Sequence, residues 1–436
     1  MCGSKSSTRT IGASLTARNG FSDLLSTHGQ RGIVSVCSAH PWAIRAAADQ
    51  ALADGGLLLI EATCNQVNQD GGYTGMRPDG FRDFVRKLAA EAGLPPHKLM
   101  LGGDHLGPHV WRTLAAEDAM RHAEEMIAQY ARAGFAKIHL DTSMPCGSDP
   151  DILSEDIIAG RAARLAQVAE ASRQDGLLPF YIVGTEVPAP GGASQGHSLS
   201  VTAPEAAART LAAHKEAFVA AGLGDAWERV VGLVVQPGVE FDNISVADYQ
   251  PAKASQLARW REESAEGLIF EAHSTDFQRD EAYAALVRDG FAILKVGPGV
   301  TFAMREAVCA LAEIEKWTIA PDAQSRLLGV IRTVMHENPR YWRDYYTGTP
   351  AEQDLLLFNS YSDRIRYYWP DPRIEAAITR LIANLTAVPI PDILLSRYLP
   401  VQYRRVREGG LARDPKALIL DRIRDALRPY AAACRA

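Results

Sequence analysis

Between residues 20 and 317 short apolar runs alternate with stretches of helical spacing. The runs are GIVSVCSAH from Gly32, LLLIEATCNQ from Leu57, LMLGGDHLG from Leu99 and KIHLDTSM from Lys137. Four more follow: FYIVGTEV from Phe180, VVGLVVQPGV from Val230, LIFEAHST from Leu268 and AILKVGPGV from Ala292. Each has the length and near-continuous apolar character of a strand buried on both faces. The intervening segments, such as WAIRAAADQALADGG and DAMRHAEEMIAQYARAG, read as helices that stop at Gly, which accepts a left-handed backbone at low cost. Thr202-Ala203-Pro204-Glu205 reads as a capping box with Pro in the first turn.

Eight strand–helix units predict an α/β fold, a (β/α)8 TIM barrel over residues 20–317. A doubly wound open sheet is the competitor, but it usually carries a Gly-rich turn after its first strand, and VCSAHPW is not one. The polar residues favour the barrel independently. Nearly every run ends in a chemically capable side chain: His40, Glu61 and Asn65, Asp104 and His105, Asp141, Glu186, Gln236, Glu271 and His273, Lys295. Only a barrel brings all strand C-termini to one rim, where active sites sit.

Past Trp317 the strand signal fades. Residues 318–436 are helical, aromatic and Arg-rich, and Pro370, Pro372, Pro389 and Pro391 divide them into short pieces. They predict a helical C-terminal extension packed on the barrel. Its aromatics suit either an internal core or an interface. Residues 1–19 are small and polar with no apolar stretch, which predicts a flexible N-terminus and no signal peptide.

Composition narrows the function. Apolar residues at 47% and charged residues at 22% are normal for a soluble globular chain with a sizeable core. A net charge of -6, with 46 basic residues spread along the chain, argues against nucleic acid. No apolar run approaches the ~20 residues that span a bilayer. Six cysteines without a CxxC pair predict neither a zinc knuckle nor a disulfide framework, hence a reduced, cytoplasmic protein.

Asp104-His105 is the sharpest motif. A neutral His offers a metal nitrogen, and the carboxylate beside it can move a substrate proton. Alone, the pair reads more readily as a hydrogen-bonded structural His. Together with His273 and Glu186 it makes a His/His/Glu set with an open position, which suits a divalent metal, zinc above all. The turn Lys295–Thr301, with Gly297 and Gly299 before a helix, suits an anion, since loops after strands seven and eight are the habitual phosphate site of barrels. A tight turn needing Gly for its geometry is the plain alternative. The long Gly-rich loop Glu186–Ser198 reads as a mobile substrate or metal loop, or as ordinary surface. No GxxxxGK[ST] occurs, which weighs against a kinase.

IEATCNQVNQDGGYTGMRPDGFRDFV, LGGDHLGPHVW, Glu186-Val187-Pro188, LKVGPGVTFAMREA and SYSDRIRYYWP together resemble the Z-subunit family of tagatose-1,6-bisphosphate aldolases, also labelled tagatose-6-phosphate kinases. The resemblance runs from about Gly32 to Arg405. It implies a barrel similar to class II, zinc-dependent ketose-bisphosphate aldolases. By the same likeness Asp104 would carry the proton, His105 and His273 would bind zinc, and Lys295 to Thr301 would hold phosphate. Where those aldolases place a further zinc His before a Pro-Gly turn, this chain has Gln236-Pro237-Gly238. The family view is of an accessory chain that stabilises and activates a separate catalytic Y-type subunit, so an oligomer is expected. The alternatives are a stand-alone metal-dependent ketose or ketose-phosphate aldolase or epimerase, and a tagatose-6-phosphate kinase.

Overall fold

The structure is a computed structural model that describes residues 31–185, 199–265 and 267–435. The expected flexible N-terminus, and Glu186 with the loop Glu186–Ser198, lie outside the described residues.

Eight parallel strands close into a barrel in chain order: β1 (Ile33–Val36), β2 (Leu58–Thr63), β3 (Leu99–Leu106), β4 (Lys137–Leu140), β5 (Phe180–Val183), β6 (Val230–Val234), β7 (Ile269–Ala272) and β8 (Ile293–Val296). β8 returns to pair with β1, Ser35 opposite Lys295. The (β/α)8 expectation holds, and the open sheet is excluded. Two-residue strands Glu240–Phe241 and Val246–Ala247 form a small antiparallel hairpin after β6.

Side chains alternate across a strand, and here the alternation sorts the barrel interior into layers. Ile33, Leu59, Ile269 and Ile293 belong to an apolar cluster at the N-terminal end. Two residues further along the same strands come Ser35, Glu61, Glu271 and Lys295, all buried. One more step gives Cys37, Thr63, His273 and Gly297 at the mouth, where all four line a cavity. Gly102 sits opposite Glu61, and a Cβ there would lie 2.8 Å from Glu61 Cγ, so the glycine leaves room for a carboxylate inside the barrel.

Two of the predicted Gly stops form, and the predicted helix start at Thr202 does not. Pro41–Asp54 and Ala116–Ala133 stop at Gly55 and Gly134, both left-handed. The expected capping box at Thr202 does not form: the helix Pro204–Ala220 has Ala203 at its N-cap without a side-chain bond. The Thr202 hydroxyl instead accepts from the Gln236 N–H at 2.8 Å, tying the loop after β6 to the segment just before this helix. A long-range partner outcompetes the local cap.

The last quarter of the chain is helical. Trp342, Tyr346, Tyr368, Trp369 and Tyr430 are buried within it or against the barrel, while its other aromatics are half-buried or, at Tyr345, exposed. Arg305, on the helix Pro298–Thr318, is fully enclosed and pairs with Asp363 at 2.8 Å, while its guanidinium also donates to the Ser360 carbonyl. The final helix, Pro415–Arg435, packs on Pro41–Asp54, Asp280–Arg288 and Pro298–Thr318. There the Gly32 N–H beside β1 donates to the Cys434 carbonyl at 3.1 Å, and Tyr430 meets Thr275 at 3.2 Å.

Candidate active site at the barrel mouth

β3 explains how two neighbouring residues serve one site. Its pairing with β4 breaks register between Gly103 and Leu106, and His105 has φ 48°. A bulge and a left-handed non-glycine residue turn both side chains inward, a strain of about 1–3 kcal/mol that the surroundings must hold. The holding contacts are visible: the His105 N–H donates to His139 Nδ1 at 3.2 Å, and the His105 ring Nδ1 lies 2.9 Å from Asp141 Oδ2. Asp141 also accepts from the Ser143 hydroxyl at 2.7 Å.

Below the mouth lies a charged network with almost no contact with water. Lys137 reaches Glu61 Oε1 and Oε2 at 2.8 Å and Glu271 Oε2 at 2.8 Å, and all three residues are 0% exposed. Lys295 lies 2.6 Å from Asp104 Oδ1, 3.2 Å from Glu271 Oε1 and 3.3 Å from Glu61 Oε2. The Ser35 hydroxyl donates to Glu61 at 2.5 Å, and the Cys37 thiol donates to Asp104 Oδ2 at 3.4 Å. Three carboxylates thus face two ammonium groups, leaving one negative charge uncompensated within this set.

Burial governs the protonation states. It pushes the Asp104 carboxyl up, but His105, Lys295 and His139 more than reverse this and hold it well below the usual carboxylate range. Burial drives the His105 imidazole down, yet Asp104 and Asp141 leave it raised overall. His273 is pushed down to about 3, mainly by burial, so it stays neutral and able to ligate. Burial also raises the Cys37 thiol well above its ordinary value, so it is no thiolate.

Ligand atoms of Asp104, His139, Glu271 and His273 all lie within 4.8 Å of one another. His139 Nδ1 lies 3.0 Å from Asp104 Oδ1, and His273 Nε2 lies 3.0 Å from Glu271 Oε1. His139 Nε2 is buried without a hydrogen-bond partner among the described residues. Two imidazoles and two carboxylates with an orphaned ring nitrogen fit a divalent ion. The membership differs from expectation. His105, expected as a ligand, is not among the four; Asp141 holds its Nδ1 and leaves the other ring nitrogen facing the cavity. His139 takes a place no motif suggested, although Lys137, His139 and Asp141 share one strand face at a spacing of two. Glu271, expected only as a rim residue, joins them.

Other expected residues serve the scaffold. Gln236 Oε1 accepts from the N–H groups of Gly238 and Val239 at 2.8 and 3.0 Å and so caps its own turn. Asn65 lines the cavity, and its carbonyl accepts from the Tyr73 N–H. The expected phosphate turn Lys295–Thr301 lines the cavity, with its polar groups turned toward the chain itself. Lys295 points down into the charged network, the Thr301 hydroxyl donates to the Pro298 carbonyl, and the Gly297 and Gly299 N–H groups donate to Asp276 Oδ1 at 3.0 and 2.7 Å.

A cavity of about 570 Å³ stands over this centre. Asp104, His105, His273 and Lys295 lie on the barrel side, and Arg366, Tyr367 and Trp369 come from the C-terminal segment. Its size and mixed lining suit a small polar ligand. Sequence reading found the barrel side and missed the C-terminal side, since nothing local marks Trp369 as a neighbour of His40 or Tyr367 as a neighbour of Tyr73.

Residues 23–435 match the family described as D-tagatose-1,6-bisphosphate aldolase subunit GatZ/KbaZ-like. A relative named D-tagatose-1,6-bisphosphate aldolase subunit GatZ from Salmonella dublin is 51% identical over 408 residues, covering 93% of this chain and 96% of its own. The relative of that name from Klebsiella pneumoniae is 51% identical over 406 residues, covering 92% and 96%. Among solved structures, a probable tagatose 6 phosphate kinase from Sinorhizobium meliloti 1021 superposes with a TM-score of 0.86 at 50% identity, covering 93% of this chain and all of its own.

Proposed function

The chain belongs to the D-tagatose-1,6-bisphosphate aldolase subunit GatZ/KbaZ-like family, and from that premise we propose that it acts as a Z-type subunit supporting a separate catalytic Y-type aldolase chain. The near-full-length match to chains named as subunits carries this reading. The chemistry of the mouth supports it. A proton carrier needs a carboxylate free to change state. Asp104 is held by Lys295, His139 and the Cys37 thiol, an arrangement that fixes its charge and position. The geometry suits a barrel that keeps the aldolase scaffold and lends stability to a partner. No helix among the described residues is long and apolar enough to cross a membrane, and we place the assembly in the cytoplasm. We also propose that residues 20–317 and the extension 318–436 act as one body, joined by the enclosed Arg305–Asp363 pair.

The test is reconstitution. Adding this protein to a purified Y-type chain is expected to raise the rate of tagatose 1,6-bisphosphate cleavage and the half-life of that activity. Unchanged rate and half-life across a range of mixing ratios would sink the proposal.

A second reading rests on the orphaned His139 Nε2. We propose that Asp104, His139, Glu271 and His273 hold a divalent ion, zinc being the one that a set with two imidazoles suits best. When bound, it would supply Lewis-acid polarisation of a ligand carbonyl. The residues around it would orient the ligand: His105, fixed by Asp141, presents its other ring nitrogen, and Lys295 holds Asp104 and Glu271 in place. Elemental analysis of the purified chain tests this reading separately from the partner assay. The kinase label of the solved relative gains nothing from this mouth, whose helix-start amides are filled by Asp276.

A further inference from the structure

The helix Pro298–Thr318 begins where barrels commonly hold a phosphate, yet its first amides already have an anion. Asp276 is 2% exposed, and its Oδ1 accepts from both Gly297 and Gly299. The fit is close: a Cβ on Gly299 would lie 2.9 Å from that oxygen. A carboxylate of the chain thus sits where a ligand phosphate would go. Burial pushes this carboxyl up to about 6, against the pull of the two amides and of Arg366.

Arg366 lines the same cavity from the C-terminal segment. Its guanidinium donates to the Asp363 carbonyl at 2.6 Å and to the Tyr367 hydroxyl at 3.0 Å. Among the described residues it has no carboxylate at ion-pair distance, since the Asp363 carboxylate is turned to Arg305. A guanidinium has five N–H donors in a fork that matches phosphate, and these two bonds leave donors to spare. Tyr367 and Tyr73 stack edge to face beside it at 4.9 Å, walling the arginine on one side. Its guanidinium also sits over the Tyr367 ring at 4.6 Å, but with no carboxylate partner among the described residues this cation suits an anion from outside.

We infer that Arg366 is the anion-recognition residue of this cavity, and that the cavity takes a ketose phosphomonoester with its phosphate on Arg366 and its carbonyl end toward His105 and His273. Asp276 bars a second phosphate from the helix start, so a bisphosphate is disfavoured. The inference goes beyond the subunit role: it gives this chain a ligand of its own, whichever partner it serves.

Calorimetric titration of the full chain with dihydroxyacetone phosphate, inorganic phosphate and tagatose 1,6-bisphosphate tests it. The ester should bind more tightly than inorganic phosphate, and the bisphosphate no better than the ester. Arg366→Met should weaken ester binding by about tenfold or more, the worth of a charge-assisted fork. Arg366→Lys keeps the charge without the fork and should fall between, and it decides the matter if the Met variant does not fold. Asp276→Gly opens the helix start and should shift preference toward the bisphosphate. Ester binding unchanged in both Arg366 variants overturns the inference, as does binding of inorganic phosphate without the ester. Partner activation measured on the same samples keeps the two proposals apart: its absence with ester binding intact removes only the subunit role.

Discussion

Lys295 Nζ lies 2.6 Å from Asp104 Oδ1, and this ammonium also reaches Glu61 and Glu271 at 3.3 and 3.2 Å. One cation therefore ties together three strands of the barrel, β2, β3 and β7, from its own place on β8. Removing one partner of a buried charge set leaves the rest uncompensated, which costs about 3–5 kcal/mol. Lys295→Met is expected to lose stability in that range in urea unfolding. Lys137→Met should lose at least as much, because Glu61 and Glu271 are wholly out of water. A loss below about 1 kcal/mol in both would mean that the carboxylates are not ionised there.

His139 gives the metal prediction. The purified chain dialysed against zinc is expected to retain close to one equivalent per chain, and His139→Ala should bind at least about tenfold more weakly. Chelator treatment should lower the melting temperature of the zinc-loaded chain and leave that of the variant unchanged.

Asp276 sets a pH dependence. Its folded pKa is raised, to about 6 from the ordinary 3.8, chiefly by burial. The folded state therefore binds the proton more tightly than the unfolded state. Its contribution to stability is present at low pH and is lost as pH rises from about 4 through 6. Asp276→Asn keeps the acceptor oxygen and drops the titration. The stability difference between variant and wild type should grow from near zero at pH 4 to on the order of 2–3 kcal/mol at pH 7 in the variant's favour. A constant difference across that window would show that this carboxyl is not buried as described.

Arg305 and Asp363 join the barrel to the C-terminal segment, and Arg366 stands three residues past Asp363. Asp363→Ala is expected to destabilise by about 3–5 kcal/mol. Short of unfolding, it should also weaken ester binding, because the turn that aims Arg366 loses its anchor. The double variant Arg305→Met with Asp363→Leu should be more stable than Asp363→Ala, a comparison that separates a stranded charge from lost packing.

The barrel was legible because its evidence is repeated: strand length, apolar continuity and a polar terminus recur at Glu61, Asp104, Asp141, Glu271 and Lys295. The site was legible only where a residue sits at the end of its strand. Lys137 and His139 were missed because KIHL reads as an ordinary buried strand. The clue was the spacing of two from Asp141, which puts all three on the interior face. Asp276 and Thr202 were missed for another reason: each is spent on a backbone group far away in sequence, and local rules assign Thr202 to its own helix. Arg366 depends on the docking of a segment some 260 residues after Asp104, which no local pattern encodes.

The Gly32–Cys434 hydrogen bond joins places about 400 residues apart along the chain. Translation at roughly 5–20 residues per second puts some twenty seconds to more than a minute between the synthesis of β1 and that of the helix that covers it. Over that interval β1 and the flank of Pro41–Asp54 lack their final cover while β8, the strand that closes the ring, is also late. A nascent barrel of this kind is therefore an apolar, open-edged intermediate for most of its time on the ribosome. Its yield in a cell should depend on chaperone supply more steeply than the stability of the finished protein implies.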